Sequence, residues 1–166
     1  MGPSRCPLCE AQEETIEHIL NNYIYINWLW DAFNIIFQQT DRDKGSITNT
    51  LKNWRKNFAE NDILNLAWTL TPSFIIWNVW KERNKRIFKN EKTTTICLMD
   101  LILKQIRESV FTTEHSPPSN PPTALELRTL KHLGIHEITL QGLSKEVRVM
   151  EREKEFWNPP PKGYLK

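Results

Sequence analysis

Apolar residues recur at helical spacing through much of the chain, beginning with a segment between residues 24 and 37. The members of this stripe are spaced three or four positions apart, which predicts an amphipathic helix. They are Ile26, Leu29, Trp30, Phe33, Ile36 and Phe37. The polar segment 38–46 ends that helix. Ser46 is a suitable N-cap for a short helix that carries Ile47, Leu51, Trp54 and Phe58.

Two further helical patterns follow between residues 62 and 113. Asp62 is predicted to cap a helix whose stripe is Ile63, Leu66, Ala67 and Leu70, and Pro72 is predicted to kink or end it. The pattern continues over 73–90, with one face formed by Trp77, Trp80, Asn84, Ile87 and Phe88. Thr94 or Thr95 is predicted to cap another helix, in which Leu98, Leu101, Ile102, Ile106 and Val110 face inward.

The character of the chain changes after residue 114. Four prolines in segment 115–123 predict an extended linker. Thr123 and Glu126 form a capping box that opens a helix to His132, and Gly134 suits its C-terminal cap. We therefore expect an all-α fold, a small helical bundle with an N-terminal Cys/His turn over 5–113. A linker over 114–123 and a short helix with a poorly structured extended segment over 124–166 complete the expected domain organisation.

The amino-acid composition is typical of a folded domain but does not indicate a binding partner. The chain has 166 residues, of which 39% are hydrophobic and seven are Trp, enough for one core. The net charge of +2 predicts no general attraction to nucleic acid, so any such contact must come from a local cluster. With three cysteines, no signal peptide and no membrane-length apolar run, we expect an intracellular protein without a membrane partner. Whether it resides in the nucleus or the cytoplasm is open.

Cys6, Cys9 and His18 provide three of the four ligands of a structural zinc site. A C-x2-C turn directs both sulfurs at one point, and a His on the following helix can complete one face. The fourth ligand is missing, because the helical register from His18 leads to Tyr23, and tyrosine is a poor zinc ligand at neutral pH. Two interpretations remain open: zinc with water or a remote group in the fourth position, or a chance Cys/His grouping without metal.

A basic segment follows the aromatic helix and is the candidate for contact with nucleic acid. Residues 81–92 contain six positive and two negative side chains. The candidate phosphate-binding residues are Lys81, Arg83, Lys85, Arg86 and Lys89. The alternative is an ordinary solvated helix end, whose cations favour the C-terminal dipole.

Other distinctive residues are better explained by packing than by chemistry. Trp28, Trp30, Trp54, Trp68, Trp77 and Trp80 are candidate stacking platforms, but their spacing favours a core position. We expect Asn84 to be a buried, hydrogen-bonded amide and Cys97 to be a core thiol. No phosphate loop, nucleophile elbow or carboxylate cluster is present, so we expect no enzymatic activity and no small-molecule substrate.

The run CPLCEAQEETIEHILNNYIYINWLW, from Cys6 to Trp30, resembles the zinc-binding domain of plant LINE-type (non-LTR) retrotransposon reverse transcriptase polyproteins. Cys6, Cys9, Glu14, Thr15, His18 and Trp30 are in register with that family, and the family's fourth ligand, a Cys, falls on Tyr23. WNVWKERNKRIFKN (77–90) is similar to the family's W-x-x-W-x-x-R-N-x-x-x-F segment. WNPPPKGYLK (157–166) is similar to the segment that precedes the ribonuclease H domain.

The resemblance implies a non-catalytic fragment that holds neither the polymerase nor the ribonuclease H. It implies a helical module with a degenerate zinc knuckle and non-specific contact with RNA or DNA. The alternative is a purely structural helical spacer that binds neither metal nor nucleic acid. Protein partners are not indicated.

Overall fold

The structure, a computed structural model, describes residues 5–39, 45–54, 58–59, 61–113 and 122–135. Five α-helices and one π-helical turn make up most of these ranges. They are the turn His18–Asn22, α1 Ile24–Ile36, α2 Ile47–Trp54, α3 Asp62–Lys89, α4 Thr95–Thr112 and α5 Ala124–Leu133. Within the same ranges the β pairing consists of one isolated antiparallel bridge, between Arg5 and Glu13. The predicted all-α class is confirmed.

Helix α1 carries the central apolar stripe, as the sequence predicts. All six stripe residues of the 24–37 segment are buried, and Trp30, Phe33 and Phe37 are fully enclosed. The indole Nε1 of Trp30 donates to the carbonyl of Leu20 at 2.8 Å. That hydrogen bond satisfies the indole and ties the π-helical turn to α1.

Helix α2 and the first half of α3 enclose an aromatic cluster against the end of α1. The rings of Trp54 and Trp68 stack with centroids 3.8 Å apart, and Phe37 meets both rings edge-on. Ser46 accepts a hydrogen bond from the N–H of Thr48, which confirms it as the cap of α2. Phe58 lies beyond the end of α2 but still packs against this cluster.

Helix α3 begins and continues differently from the prediction. Its N-cap is Asn61, whose side chain accepts from the N–H of Leu64, whereas Asp62 is the first helical residue. Of the two outcomes predicted for Pro72, an end to the helix is wrong, because α3 continues to Lys89. Pro72 is buried, and the Thr71 hydroxyl donates to the carbonyl of Ala67 at 2.7 Å. Proline has no N–H, so the helix lacks one backbone hydrogen bond at this position.

The second half of α3 presents the opposite face to the one expected. Trp77, Trp80, Ile87 and Phe88 are exposed, and the buried positions are Ile75, Asn78, Val79 and Glu82. The expectation of a core position is therefore wrong for Trp77 and Trp80, and also for Trp28 on α1, which is 46% exposed. Asn84 is half-buried rather than buried and accepts from Arg83.

Helix α4 packs along α3, and its prediction is largely confirmed. Thr94 is the N-cap, since its hydroxyl accepts from the N–H of Cys97. Four of the five residues expected inside are buried: Leu98, Ile102, Ile106 and Val110. Leu101 is 46% exposed and Cys97 is also exposed, so neither belongs to the core.

Helix α5 is capped as predicted and joins the same core. The reciprocal Thr123–Glu126 capping box is present, and Gly134 closes the helix with a φ of 70°. Leu130 and Leu133 are buried where α5 contacts α1, α3 and α4. The core thus includes residues after 113. The predicted linker, up to residue 121, and the predicted extended segment after residue 135 lie outside the described residues.

None of the helices in the described ranges combines the length and the apolarity needed to cross a bilayer.

Candidate metal centre and its contact with helix α3

The structure brings Cys6, Cys9 and His18 together, and we call this group the Cys/His cluster. Their potential ligand atoms all lie within 4.8 Å of one another. Cys9 Sγ and His18 Nε2 are 3.3 Å apart. Tetrahedral zinc with ordinary bond lengths would separate a sulfur and a nitrogen ligand by about 3.6 Å. The three residues therefore lie close enough to hold a metal ion, and their soft donor set suits zinc.

The backbone around the two cysteines favours thiolate formation at Cys9. Burial raises the pKa of Cys6, although the N–H groups of Cys9 and Leu8 oppose that rise. Burial also disfavours the Cys9 thiolate, but hydrogen bonds from the N–H groups of Ala11 and Gln12 outweigh it and lower the pKa of Cys9. Because zinc binds thiolates, Cys9 is the sulfur that is better prepared for a metal.

Glu10 occupies a left-handed backbone conformation directly after the second cysteine, with a φ of 60°. Glycine adopts this conformation without steric cost. We expect Glu10→Gly to raise the free energy of unfolding by about 0.5–1 kcal/mol. This net value is the relief of backbone strain in the folded chain minus the conformational entropy that glycine adds to the unfolded chain. Chemical denaturation measures the change, and Glu10→Ala is the control because it keeps the strained φ. Equal stability of the two variants would contradict the prediction.

The π-helical turn explains why position 23 lies beside His18. The N–H of Tyr23 donates to the carbonyl of His18, five residues earlier, at 2.8 Å. In an α-helix these two positions would point about 140° apart, whereas the wider turn brings them onto one side. The two rings are in contact, with centroids 5.7 Å apart. Position 23 therefore lies next to the Cys/His cluster, and it does so through the π-helical turn rather than through α-helical register.

The loop between the cysteines is fixed to helix α3 through one carbonyl. The oxygen of Leu8 accepts from the Tyr23 hydroxyl at 2.8 Å and from Arg86 Nη1 at 2.7 Å. Arg86 also donates to Glu82 at 2.8 Å, and that carboxylate accepts from the N–H of Thr93 at 2.9 Å. The buried Glu82–Arg86 pair thus joins the Cys/His cluster to α3 and to the start of α4.

Two more contacts strengthen the same junction. Arg83 pairs with Glu14, and Tyr25 donates to the carbonyl of Thr93 at 2.8 Å. The pKa of Tyr25 is raised to about 12, mainly by burial and to a smaller extent by the nearby charge of Glu82. Tyr25 therefore keeps its proton, and with it this hydrogen bond, across the physiological range.

The structure separates the five predicted phosphate-binding residues into three groups. Arg86 has a side chain only 9% exposed and holds the Leu8 carbonyl, so it is not available to phosphate. Arg83 and Lys85 are partly exposed and paired with Glu14 and Glu91. Lys81 and Lys89 are exposed.

A scan against protein-family models, a search of curated proteins and a search of solved structures each return no match. The resemblance to retrotransposon zinc-binding domains therefore stays a prediction.

Sequence reasoning missed the residues that support the cluster. It assigned Arg86 to phosphate binding and gave no role to Glu82 or to the Leu8 carbonyl. The only available signal was the i, i+4 spacing of Glu82 and Arg86, which is typical of a helical ion pair. That spacing cannot indicate that the pair is buried, because burial depends on the loop that packs over it.

Proposed function

We propose that this chain is a non-catalytic helical module of the kind found in retrotransposon polyproteins, which holds zinc in an incomplete knuckle and contacts RNA or DNA without sequence specificity. The observation that carries the proposal is the position of the Cys/His cluster against the basic end of α3. Arg86 joins the two through the Leu8 carbonyl. A metal at Cys6, Cys9 and His18 would fix the loop that Arg86 binds, and so would fix the basic helix relative to the rest of the module.

The nucleic-acid contact rests on the cations that the fold leaves accessible. Lys81 and Lys89 are exposed on the second half of α3, and Lys85 and Arg83 lie between them. Ion pairs at the surface contribute little to stability, so phosphate can compete with Glu91 for Lys85 at small cost. A few such contacts give weak binding that depends strongly on salt.

A salt titration tests this proposal. Binding of a labelled single-stranded RNA should weaken as salt rises, and Lys81→Ala/Lys89→Ala should reduce the slope of log K against log salt by about 1.4, since each phosphate contact contributes about 0.7. The control is Lys104→Ala/Lys131→Ala, which removes the same charge from exposed positions on α4 and α5. Equal slopes for the two double variants would contradict the assignment of the contact to α3.

The alternative, a structural spacer, is favoured by a specific observation. Three of the five predicted basic residues, Arg83, Lys85 and Arg86, already pair with carboxylates of the chain itself. If the spacer is correct, the wild-type chain binds no RNA even at low salt, and a strong chelator leaves its thermal unfolding unchanged.

A further inference from the structure

An apolar stripe lies on the outer face of the second half of α3. It consists of Trp77, Trp80, Ile87 and Phe88, which are 55%, 46%, 44% and 79% exposed, and we call it the α3 stripe. The inner face of the same turns contains Asn78 and Glu82, which are 1% and 3% exposed. A helix that serves packing alone buries its aromatic residues and exposes its polar ones. The reversal indicates that the α3 stripe has a binding role.

A groove beside the stripe adds depth to this surface. It has a volume of about 390 Å³ and lies between the turn before α1 and the face of α3. Ile16 and Ile19 form one wall, and Ile76, Trp77 and Trp80 form the other. Apolar side chains dominate both walls. The groove therefore offers an apolar surface directly beside the two indoles.

Cations accompany the two indoles of the stripe. Lys81 Nζ lies 5.7 Å from the centre of the Trp77 ring, and the Arg83 guanidinium lies 5.1 Å from that of Trp80. The surface therefore combines flat aromatic rings with cations, of which Lys81 is exposed and Arg83 is paired with Glu14. The ligand that matches both features is a polyanion that carries flat rings at short intervals, and single-stranded nucleic acid has this chemistry.

We propose that the α3 stripe binds single-stranded nucleic acid by stacking unpaired bases on Trp77, Trp80 and Phe88, while Lys81 and Lys89 contact the backbone phosphates. This inference rests on the nucleic-acid contact proposed above and adds a preference for single strands. Trp77 and Phe88 are separated by about 16 Å along the helix axis. At a stacked rise of about 3.4 Å per nucleotide, this length accommodates about five nucleotides.

Other partners fit the surface less well. A duplex hides its base faces, so it could use the cations but not the indoles. A membrane would place the Asn84 amide, in the middle of the stripe, and the charge of Lys81 beside it among acyl chains, where polar and charged groups are costly. A second copy of this chain would bring the same cations face to face.

The test compares a fluorescently labelled single-stranded oligonucleotide of 12 nucleotides with its duplex at one low salt concentration, by anisotropy. Trp77→Ala and Trp80→Ala should each weaken single-strand binding by about fivefold to a hundredfold and leave duplex binding nearly unchanged. Trp28→Ala is the matched control, because Trp28 on α1 is as exposed as Trp80, at 46%. It should change neither affinity. Thermal melts verify that the three variants remain folded.

Each of the other outcomes overturns the inference in a different way. If the tryptophan variants bind both oligonucleotides as the wild type does, stacking is wrong and the contact by cations alone still stands. If the wild type binds neither, the proposed nucleic-acid contact fails as well. Two further results, each without single-strand binding, would assign the stripe to another partner. Flotation with anionic vesicles that depends on Trp77 would indicate a membrane, and dimerisation in sedimentation that depends on Trp77 would indicate a second copy of the chain.

Discussion

Tyr23→Cys is expected to increase the zinc affinity of the chain by about a hundredfold. Complete structural sites bind zinc with about 10–16 kcal/mol, so each of four ligands contributes about 3 kcal/mol on average. Position 23 is adjacent to the Cys/His cluster because the π-helical turn places it beside His18. The substitution also removes the hydrogen bond from the Tyr23 hydroxyl to Leu8, but Arg86 still binds that carbonyl. The loop between the cysteines should therefore keep its position.

Competition with a chromophoric chelator measures the affinity, and the absorption of the Co²⁺ form reports the number of thiolate ligands. Tyr23→Phe separates the loss of the hydroxyl from the gain of a ligand, and we expect its zinc affinity to be equal to or slightly below that of the wild type. Tyr23→Ala controls for the loss of the ring. A Tyr23→Cys chain with wild-type affinity and no third thiolate in the Co²⁺ spectrum would show that position 23 does not face the metal.

Helices whose stripe is both apolar and buried could be predicted from the sequence almost completely. The predicted bounds of α1 are wrong by only one residue, at the C-terminus. The prediction succeeds because the regularly spaced apolar residues of this helix define the face that packs inward. The ends of α5 were equally predictable, since Thr123, Glu126 and Gly134 each have a local physical role. In both cases the local sequence and the tertiary environment favour the same structure.

The second half of α3 could not be predicted in this way. Its periodicity identifies the helix but not which face packs inward, and the more apolar face was the natural choice. The buried face is polar because each polar group has a specific partner. Asn78 binds the carbonyl of Phe74 and the side chain of Gln105, while Glu82 binds Arg86 and the N–H of Thr93. Gln105 and Thr93 are 27 and 11 residues away in the sequence, so no local pattern reveals these two partners.

The candidate metal centre was likewise predictable only in its three potential ligands. The C-x2-C spacing and His18 predict the donors from the sequence alone, because a short turn and a following helix fix their separation. The π-helical turn that aligns Tyr23 has no sequence signature of its own. Neither does the contact between Arg86 and Leu8, which joins positions 78 residues apart.

Breaking the buried ion pair is the second large effect that we expect. Arg86→Met should lower the free energy of unfolding by about 3–5 kcal/mol, because it leaves the charge of Glu82 buried without its partner. The side chains of Arg86 and Glu82 are 9% and 2% exposed, so water cannot replace the lost contact. Lys89→Met, a cation lost from an exposed position on the same helix, is the control and should change stability by less than about 0.5 kcal/mol. Equal stability of the two variants in urea would show that the pair contributes nothing.

The pH dependence of Glu82→Gln provides an independent test of the same pair. Burial alone would raise the pKa of Glu82, but hydrogen bonds from Thr93 and Arg86 outweigh it and hold the pKa below its ordinary value. A lowered folded pKa stabilises the protein above the unfolded value, about 4.3, and this contribution disappears as pH falls through the folded pKa. We therefore expect Glu82→Gln to cost about 1.5–3 kcal/mol between pH 7 and pH 5. The difference from the wild type should begin to shrink as pH falls below the unfolded value, about 4.3, and should disappear as pH falls through the lower folded pKa of Glu82. A difference that persists undiminished under acid conditions would mean that the charge of Glu82 is not what stabilises this junction.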